Sequence, residues 1–415
     1  MTKKKINKAF IIYIGIAIAT VVLNVVAWNS RAFCDAYIAS VFPIWVNTYG
    51  RITGLFPFSV GEWMLVLGVL LLVAAMLGIP LLLATFLRAV PTIFVKKVRR
   101  TAALYYKAFA WIVLGVCVVM TLNCFILYHA SNFSDKYYPE EDDSYTLEEL
   151  VAVRNYVVEQ VNYLSEIVPR DENGDVIYIP VSEGESVQMT GMMAFGADQN
   201  VASKDVDWKR AMEDKSREVM QQIGIKYPQL DGYYPRPKPL LSSDFMCQQY
   251  MLGYYFPFSM EANYNDVAYI LNQPASMCHE LAHLRGYIYE DEANFISYIA
   301  CVESNDIIFQ YSGYLSVLNY LDNDFYRAIG KDRQKYLEQV VIKEQVRADD
   351  VFVTDEEWER INEKALLDTE FVDEVSDTFI DTTLKINGVE DGAVSYSRVV
   401  NRLLQYYRQE GLPME

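Results

Sequence analysis

The chain has 415 residues, 52% of them apolar, and a formal net charge of −18. A chain of this length can hold more than one domain, and so acidic a balance argues against nucleic acid as a partner. The charge is also unevenly spread. Residues 1–129 hold 12 of the 36 Lys and Arg but 2 of the 54 Asp and Glu, a balance of +10 against −28 for the remainder.

The basic part contains three long apolar runs, at about residues 9–28, 63–87 and 108–128. About 20 such residues suffice for a helix to cross a bilayer. Gly78 and Pro80 predict a kink in the second run. Lys3, Lys4, Lys5 and Lys8 precede the first run. Arg88, Lys96, Lys97, Arg99, Arg100 and Lys107 lie between the second and third, whereas only Arg31 and Arg51 lie between the first and second. Basic flanks stay on the cytoplasmic side. The N-terminus is therefore expected inside, and everything after about Ser131 outside the cytoplasmic membrane. The first run is long and lacks a small-residue cleavage signal, so it is expected to persist as an anchor. Between the first two runs, Phe33, Tyr37, Phe42, Trp45, Tyr49 and Phe56 read in two ways. They fit a segment at the membrane interface that floors the outer domain, or one that packs against the spans.

The division is thus a membrane domain over residues 1–130 and an outer domain over residues 131–415. A polar, acidic linker covers residues 131–144. Thr146 and Glu149 have capping-box spacing and open a helix to about Val168. A turn at residues 171–175 leads to an expected short strand at 176–180. Residues 205–223 have helical spacing. The Pro-rich stretch 233–239 reads as an extended connector. Residues 252–263 read as strands or a hairpin. Helices are expected at 306–328, 332–346 and 355–384, then a loop at 387–392 and a last helix at 395–409. Glu261 is a polar residue in the hairpin that fits a turn. The six cysteines lack paired spacing, which argues against a disulfide framework. Cys278 and Cys301 approach each other if their helices pack, as buried thiols.

His279-Glu280-Leu281-Ala282-His283 carries the chemistry. Two histidines four apart on a helix point the same way and can share one metal ion, usually zinc. Glu280 is placed to act as general base on a metal-activated water. Only three histidines exist, and the third, His129, lies at the end of an apolar run. Such a site needs a third protein ligand. Gly286 permits a chain reversal, and Glu290, Asp291 and Glu292 follow. At ~100° per residue, Glu290 shares a side with Ala293, Asn294, Ser297, Ala300 and Cys301, small or short residues that suit close packing on the histidine helix. Glu292 falls with Phe295, Ile296 and Ile299, and Asp291 is also turned away. Glu290 is the expected ligand, and Asn294 is expected to orient a liganding imidazole.

His-Glu-x-x-His followed by Glu-x-x-Ala-Asn resembles the Glu-liganded zinc peptidases, the gluzincins. The usual Asp is replaced by Asn294, and the spacer is shorter than in thermolysin-like enzymes. Residues 279–295, the stretch Gly253-Tyr254-Tyr255-Phe256-Pro257 to Asn263, and the C-terminal Leu384-Lys385-Ile386-Asn387-Gly388 and Ser395-Tyr396-Ser397-Arg398 resemble a bacterial membrane family of unknown function, domain of unknown function 3810. The resemblance runs through most of the chain. It implies an α+β, mostly helical protein in which three transmembrane helices precede a zincin-like domain. It also implies that residues 252–263 hold an extended peptide along the cleft.

The expected function is a membrane-anchored zinc peptidase acting on a peptide or protein outside the membrane. Its metal would be Zn2+ on His279, His283 and Glu290, with Glu280 as base. A non-catalytic zinc-binding sensor or scaffold is the alternative, and retention of Glu280 argues against it. An oxyanion needs a donor. Tyr396, or failing it Arg398, is the expected one, because Tyr396 opens the last helix after a Gly-rich turn. The competing reading packs Tyr396 in the core and pairs Arg398 with a carboxylate.

Overall fold

The computed structural model describes residues 8–87, 89, 91–139, 144–180, 207–386 and 398–412. The loop expected at 387–392, the start of the last helix at 395, Tyr396, the lysines before Lys8, and Arg88 lie outside the described residues.

Three helices, Lys8–Asn29, Val60–Phe86 and Thr92–His129, are long and apolar enough to cross a membrane. The first packs on the third through Tyr13 and Trp111, whose ring centroids are 5.2 Å apart. The second packs on the third where the Tyr106 hydroxyl donates to the Ala75 carbonyl at 2.7 Å. The third helix begins at Thr92, well before the apolar run at 108. Hydropathy marks where a helix is greasy, not where it starts. The basic stretch 96–100 contains no helix breaker, so the helix runs back to Pro91.

The segment after the first helix is itself helical. Arg31–Ser40 is capped by Ser30, whose hydroxyl accepts from the Phe33 nitrogen at 3.2 Å. Phe42–Trp45, a π turn at Val46–Gly50 and Arg51–Thr53 follow. Cys34, Tyr37, Ile38, Phe42 and Val46 are buried in the same core as Met277, Cys278 and Leu281 of the helix Gln273–His283, which carries His279 and His283. The segment thus packs beneath the rest of the chain as well as beside the apolar helices.

The remainder is mostly helical. Glu290–Val302 lies at its centre, packed by Gln273–His283, Ile307–Ala328, Arg398–Glu410 and Trp208–Lys226. Leu147–Ile167 carries the Thr146–Glu149 capping box and lies along Ile307–Ala328. The one sheet among the described residues has the order β1-β3-β2. β2 (Gly253–Phe256) pairs antiparallel with β3 (Glu261–Tyr264), and β1 (Lys238–Pro239) pairs parallel with β3. The hairpin expected at 252–263 therefore forms, and the Pro-rich connector supplies its third strand.

Three expected elements differ. Residues 176–180 make no strand, only a bridge between Arg170 and Val176. The turn closes on itself through Asp171, whose carboxylate accepts from the Asn173 and Asp175 nitrogens, both at 2.9 Å. The helix expected at 332–346 splits into Arg333–Leu337 and Glu344–Asp349. Val340-Val341-Ile342 is a β-branched run that disfavours helix. The Asn162 side chain holds it open, donating to the Val341 carbonyl and accepting from the Lys343 nitrogen, both at 2.9 Å. The helix expected at 355–384 splits into Asp355–Lys364 and Thr369–Ile386. Asp368 opens the second piece, accepting from the Phe371 nitrogen at 3.2 Å.

Candidate metal centre

The metal helix Gln273–His283 starts with Pro274 in its first turn, where a missing N–H costs nothing. His279 and His283 lie one turn apart, with ring centroids 4.7 Å apart and planes at 89°. The helix ends at once. Gly286 donates to the His283 carbonyl at 3.0 Å and has φ +94, a left-handed value that suits glycine. A Cβ there would also meet Ile38 at 2.9 Å. Glycine thus serves both the reversal and the approach of Arg31–Ser40.

The next helix delivers Glu290 from its first residue. Its Oε2 lies 3.0 Å from His279 Nε2, and its Oε1 lies 3.9 Å from His283 Nε2. The three ligand atoms lie within 4.8 Å of one another. The other ring nitrogens are occupied. His279 Nδ1 meets Asn294 Oδ1 at 2.8 Å, and His283 Nδ1 donates to the Tyr287 carbonyl at 2.7 Å. With an acceptor oxygen at each Nδ1, both Nε2 atoms are directed inward; His279 Nε2 donates to Glu290 here, and a metal would take the place of that proton. Two imidazole nitrogens and a carboxylate facing one point fit zinc.

Asp291 and Glu292 face elsewhere. Glu292 accepts from Ser134 N at 2.9 Å and pairs with Arg402 at 3.2 Å. Asp291 lies 3.7 Å from both Arg398 and Arg402. Arg398 is thus beside a carboxylate. The small side of the Glu290 helix packs on the metal helix, where Ser297 Oγ donates to the Ala275 carbonyl. Cys278 and Cys301 meet there as free buried thiols. His129 packs against Trp28 with ring centroids 4.5 Å apart and planes at 49°. Glu261 is buried in a separate ion pair with Lys238.

Burial disfavours charge on His279, but the hydrogen bond to Glu290, the charges of Glu290 and Glu280 and the contact with Asn294 together outweigh it and lift the imidazole to about 9. Burial raises Glu290, and that same hydrogen bond together with the charges of His279 and His283 overcomes it, holding the carboxyl down to about 2. Burial, then the charge on His279, push His283 down to about 4. Burial lifts Glu280 to about 8.

Glu280 lies between the metal helix and β2. It accepts from the Tyr255 backbone N–H, and its Oε2 is buried without a hydrogen-bond partner. Only glycine fits opposite it. A Cβ on Gly253 would be 2.8 Å from Glu280 Oε1 and 2.6 Å from the Asn263 carbonyl. The Tyr255 ring lies 6.0 Å from His283, and its hydroxyl donates to the Asn123 carbonyl at 3.2 Å, on the third apolar helix. Tyr289 donates to the Tyr128 carbonyl of that helix at 2.7 Å.

Sequence reasoning missed Gly253 and the Tyr287 carbonyl. No local spacing points to either. The Tyr287 contact uses a backbone atom, which every residue type offers.

No curated protein and no solved structure matches the chain. A family profile described as "Protein of unknown function (DUF3810)" matches residues 37–404, so the chain belongs to that family.

Proposed function

We propose that the protein is a membrane-anchored, zinc-dependent peptidase of gluzincin type. It would cross the cytoplasmic membrane three times, with its N-terminus inside, and hydrolyse peptide bonds on the outer side. The observation that carries this reading is the inward convergence of His279 Nε2, His283 Nε2 and the Glu290 carboxylate, each Nδ1 being held by an oxygen. Zinc, when bound, supplies a Lewis acid and favours the ionised form of a neighbouring carboxyl.

The chain's own residues supply the rest. Glu280 has a buried, unpartnered oxygen, which suits it to take a proton from attacking water and give it to the leaving amine. β2 is the edge strand of the sheet beside Glu280, so an extended peptide can add to it by backbone pairing. A zinc site that only sensed or held would give Glu280 no role.

The test uses the full chain in detergent or nanodiscs. Metal content is measured alongside cleavage of a fluorogenic peptide library, for the parent and for Glu280→Gln. Stoichiometric zinc in both, with cleavage only by the parent, supports the proposal. Absence of zinc from the parent, or equal cleavage by both, overturns it.

A further inference from the structure

A cavity of about 810 Å³ opens behind the metal helix, and its wall contains none of the three candidate ligands. That volume is within the range of small-ligand sites. Its position relative to the apolar helices is defined by two aromatic residues. Trp28, near the end of the first helix, is 58% exposed and packs at a tilt against His129, the end of the third. Exposed Trp at a helix end lies at headgroup depth in a bilayer. The cavity is lined by Arg31 and Ser131, three residues beyond Trp28 and two beyond His129. It therefore opens close to the ends of both helices and to that belt.

The polar lining carries Arg31, Lys136 and Arg285 against Asp35 and Asp135. The acids are committed. Asp35 accepts from Ser131 N and Ser131 Oγ, both at 2.8 Å, and Asp135 lies 3.9 Å from Arg31. Two cations have no carboxylate. Lys136 donates to the Gln229 side chain at 2.6 Å. Arg285 is only 9% exposed and donates to the backbone carbonyls of Gln229 and Asp231. Among the described residues neither makes an ion pair. With three cations against two acids the lining keeps a positive excess, and two cations without a carboxylate partner, one of them a buried guanidinium, favour an anion there. The same wall is apolar on its other side, with Ile38, Ala39, Phe42 and Pro43. Val41 and Ile44 of that segment stay exposed, a surface for an acyl chain.

We propose that this cavity holds the phosphate headgroup of a membrane phospholipid, from the leaflet on the side of the metal site. The proposal rests on reading the three apolar helices as spans, and it needs neither zinc nor catalysis. Arg31 and Lys136 reach the phosphate from the rim, and Arg285 faces it from the depth. Because Arg285 follows His283 by two residues and Ile38 touches Gly286, the lipid would support the end of the metal helix from behind.

The experiment is native mass spectrometry of the full-length protein in mild detergent, titrated with dioleoyl-phosphatidylglycerol. Dioleoylglycerol, which lacks the phosphate, and glycerol 3-phosphate, which lacks the tails, are the comparison probes. The parent is expected to bind one phosphatidylglycerol and to prefer it to dioleoylglycerol. The double variant Arg31→Ala with Lys136→Ala is expected to lose roughly 30-fold in affinity, the combined effect of two basic side chains near an anionic lipid. Arg31→Lys with Lys136→Arg is expected to bind as the parent does. Equal binding of the two lipids, displacement by equimolar glycerol 3-phosphate, or unchanged affinity in the alanine pair would each overturn the proposal. So would equal loss in the charge-keeping pair, which would mean that shape and not charge holds the lipid.

Discussion

Glu261 Oε2 accepts a hydrogen bond from the Gly61 backbone nitrogen at 2.7 Å. A strand beside the metal helix thus caps the apolar helix Val60–Phe86. The exchange is reciprocal, since Glu62 of that helix accepts from the Leu241 and Ser242 nitrogens at 3.0 and 2.7 Å. Lys238 completes the joint, pairing with Glu261 and donating to the Thr53 and Phe58 carbonyls at 2.7 and 3.0 Å.

Breaking that joint should destabilise the whole protein. Glu261→Gln leaves the Lys238 ammonium buried without its anion, at an expected cost of ~3–5 kcal/mol. Adding Lys238→Met should recover part of it. Thermal unfolding in detergent measures both. Equal melting temperatures for the parent and the single variant would show that the pair contributes nothing.

The candidate ligands should separate by metal affinity. Glu290→Gln is expected to abolish tight zinc binding. Asn294→Ala should weaken it by ~10–100-fold, the usual effect of removing a partner of a liganding imidazole. Glu292→Gln, which disturbs contacts to Ser134 and Arg402, should lower the melting temperature but leave zinc affinity unchanged. Competition with a chelating dye reads all three. Parallel losses in the Glu290 and Glu292 variants would contradict the assignment.

Glu280→Gln is expected to keep zinc and fold while reducing hydrolysis by ~10²–10⁴. Steady-state kinetics on whichever peptide the library identifies gives the answer, and parent-like kcat would rule out Glu280 as the base.

Gly253→Ala tests the close approach of β2. The new methyl has no room between Glu280 and the Asn263 carbonyl, so the strand must shift. Zinc binding should survive and activity should fall. An active Gly253→Ala enzyme would show that Glu280 needs no such support.

Glu213 predicts a pH dependence away from the metal site. Burial raises its carboxyl to about 7, although the Tyr264 hydroxyl donates to it at 2.9 Å. A carboxyl raised above its unfolded value stabilises the fold fully below about 4.5 and loses that contribution as pH climbs through about 7. Glu213→Gln should therefore raise the melting temperature more at pH 8 than at pH 5. A larger effect at pH 5 would reverse the sign and refute the assignment.

Much of the site was legible because its information is local. Four-residue spacing placed His279 over His283, and the small residues from Ala293 to Cys301 identified the side that carries Glu290. The hairpin and the capping box at Thr146 were legible for the same reason. What escaped depends on residues distant in the chain. Asn162 holds Val340-Val341-Ile342 out of the helix from almost two hundred positions away. Gly253 matters because of what the helix opposite requires. The early start of the third apolar helix escaped because its first turns are basic, and hydropathy does not register a helical turn that is not apolar.

Tyr255 and Tyr289 each flank a candidate ligand, and both hydroxyls donate to carbonyls of the last turns of Thr92–His129. There the helix widens into a π turn at Thr121–Phe125 and tightens into a 3-10 turn at Leu127–His129, freeing acceptors from the regular ladder. A helix that crosses a bilayer takes its depth and tilt from hydrocarbon thickness. A thinner or thicker membrane would therefore draw on these two phenols, and through them on the spacing between His283 and Glu290. If the helices span and the site holds zinc, lipid chain length would become a variable of metal affinity, although the three candidate ligands lie outside the apolar helices.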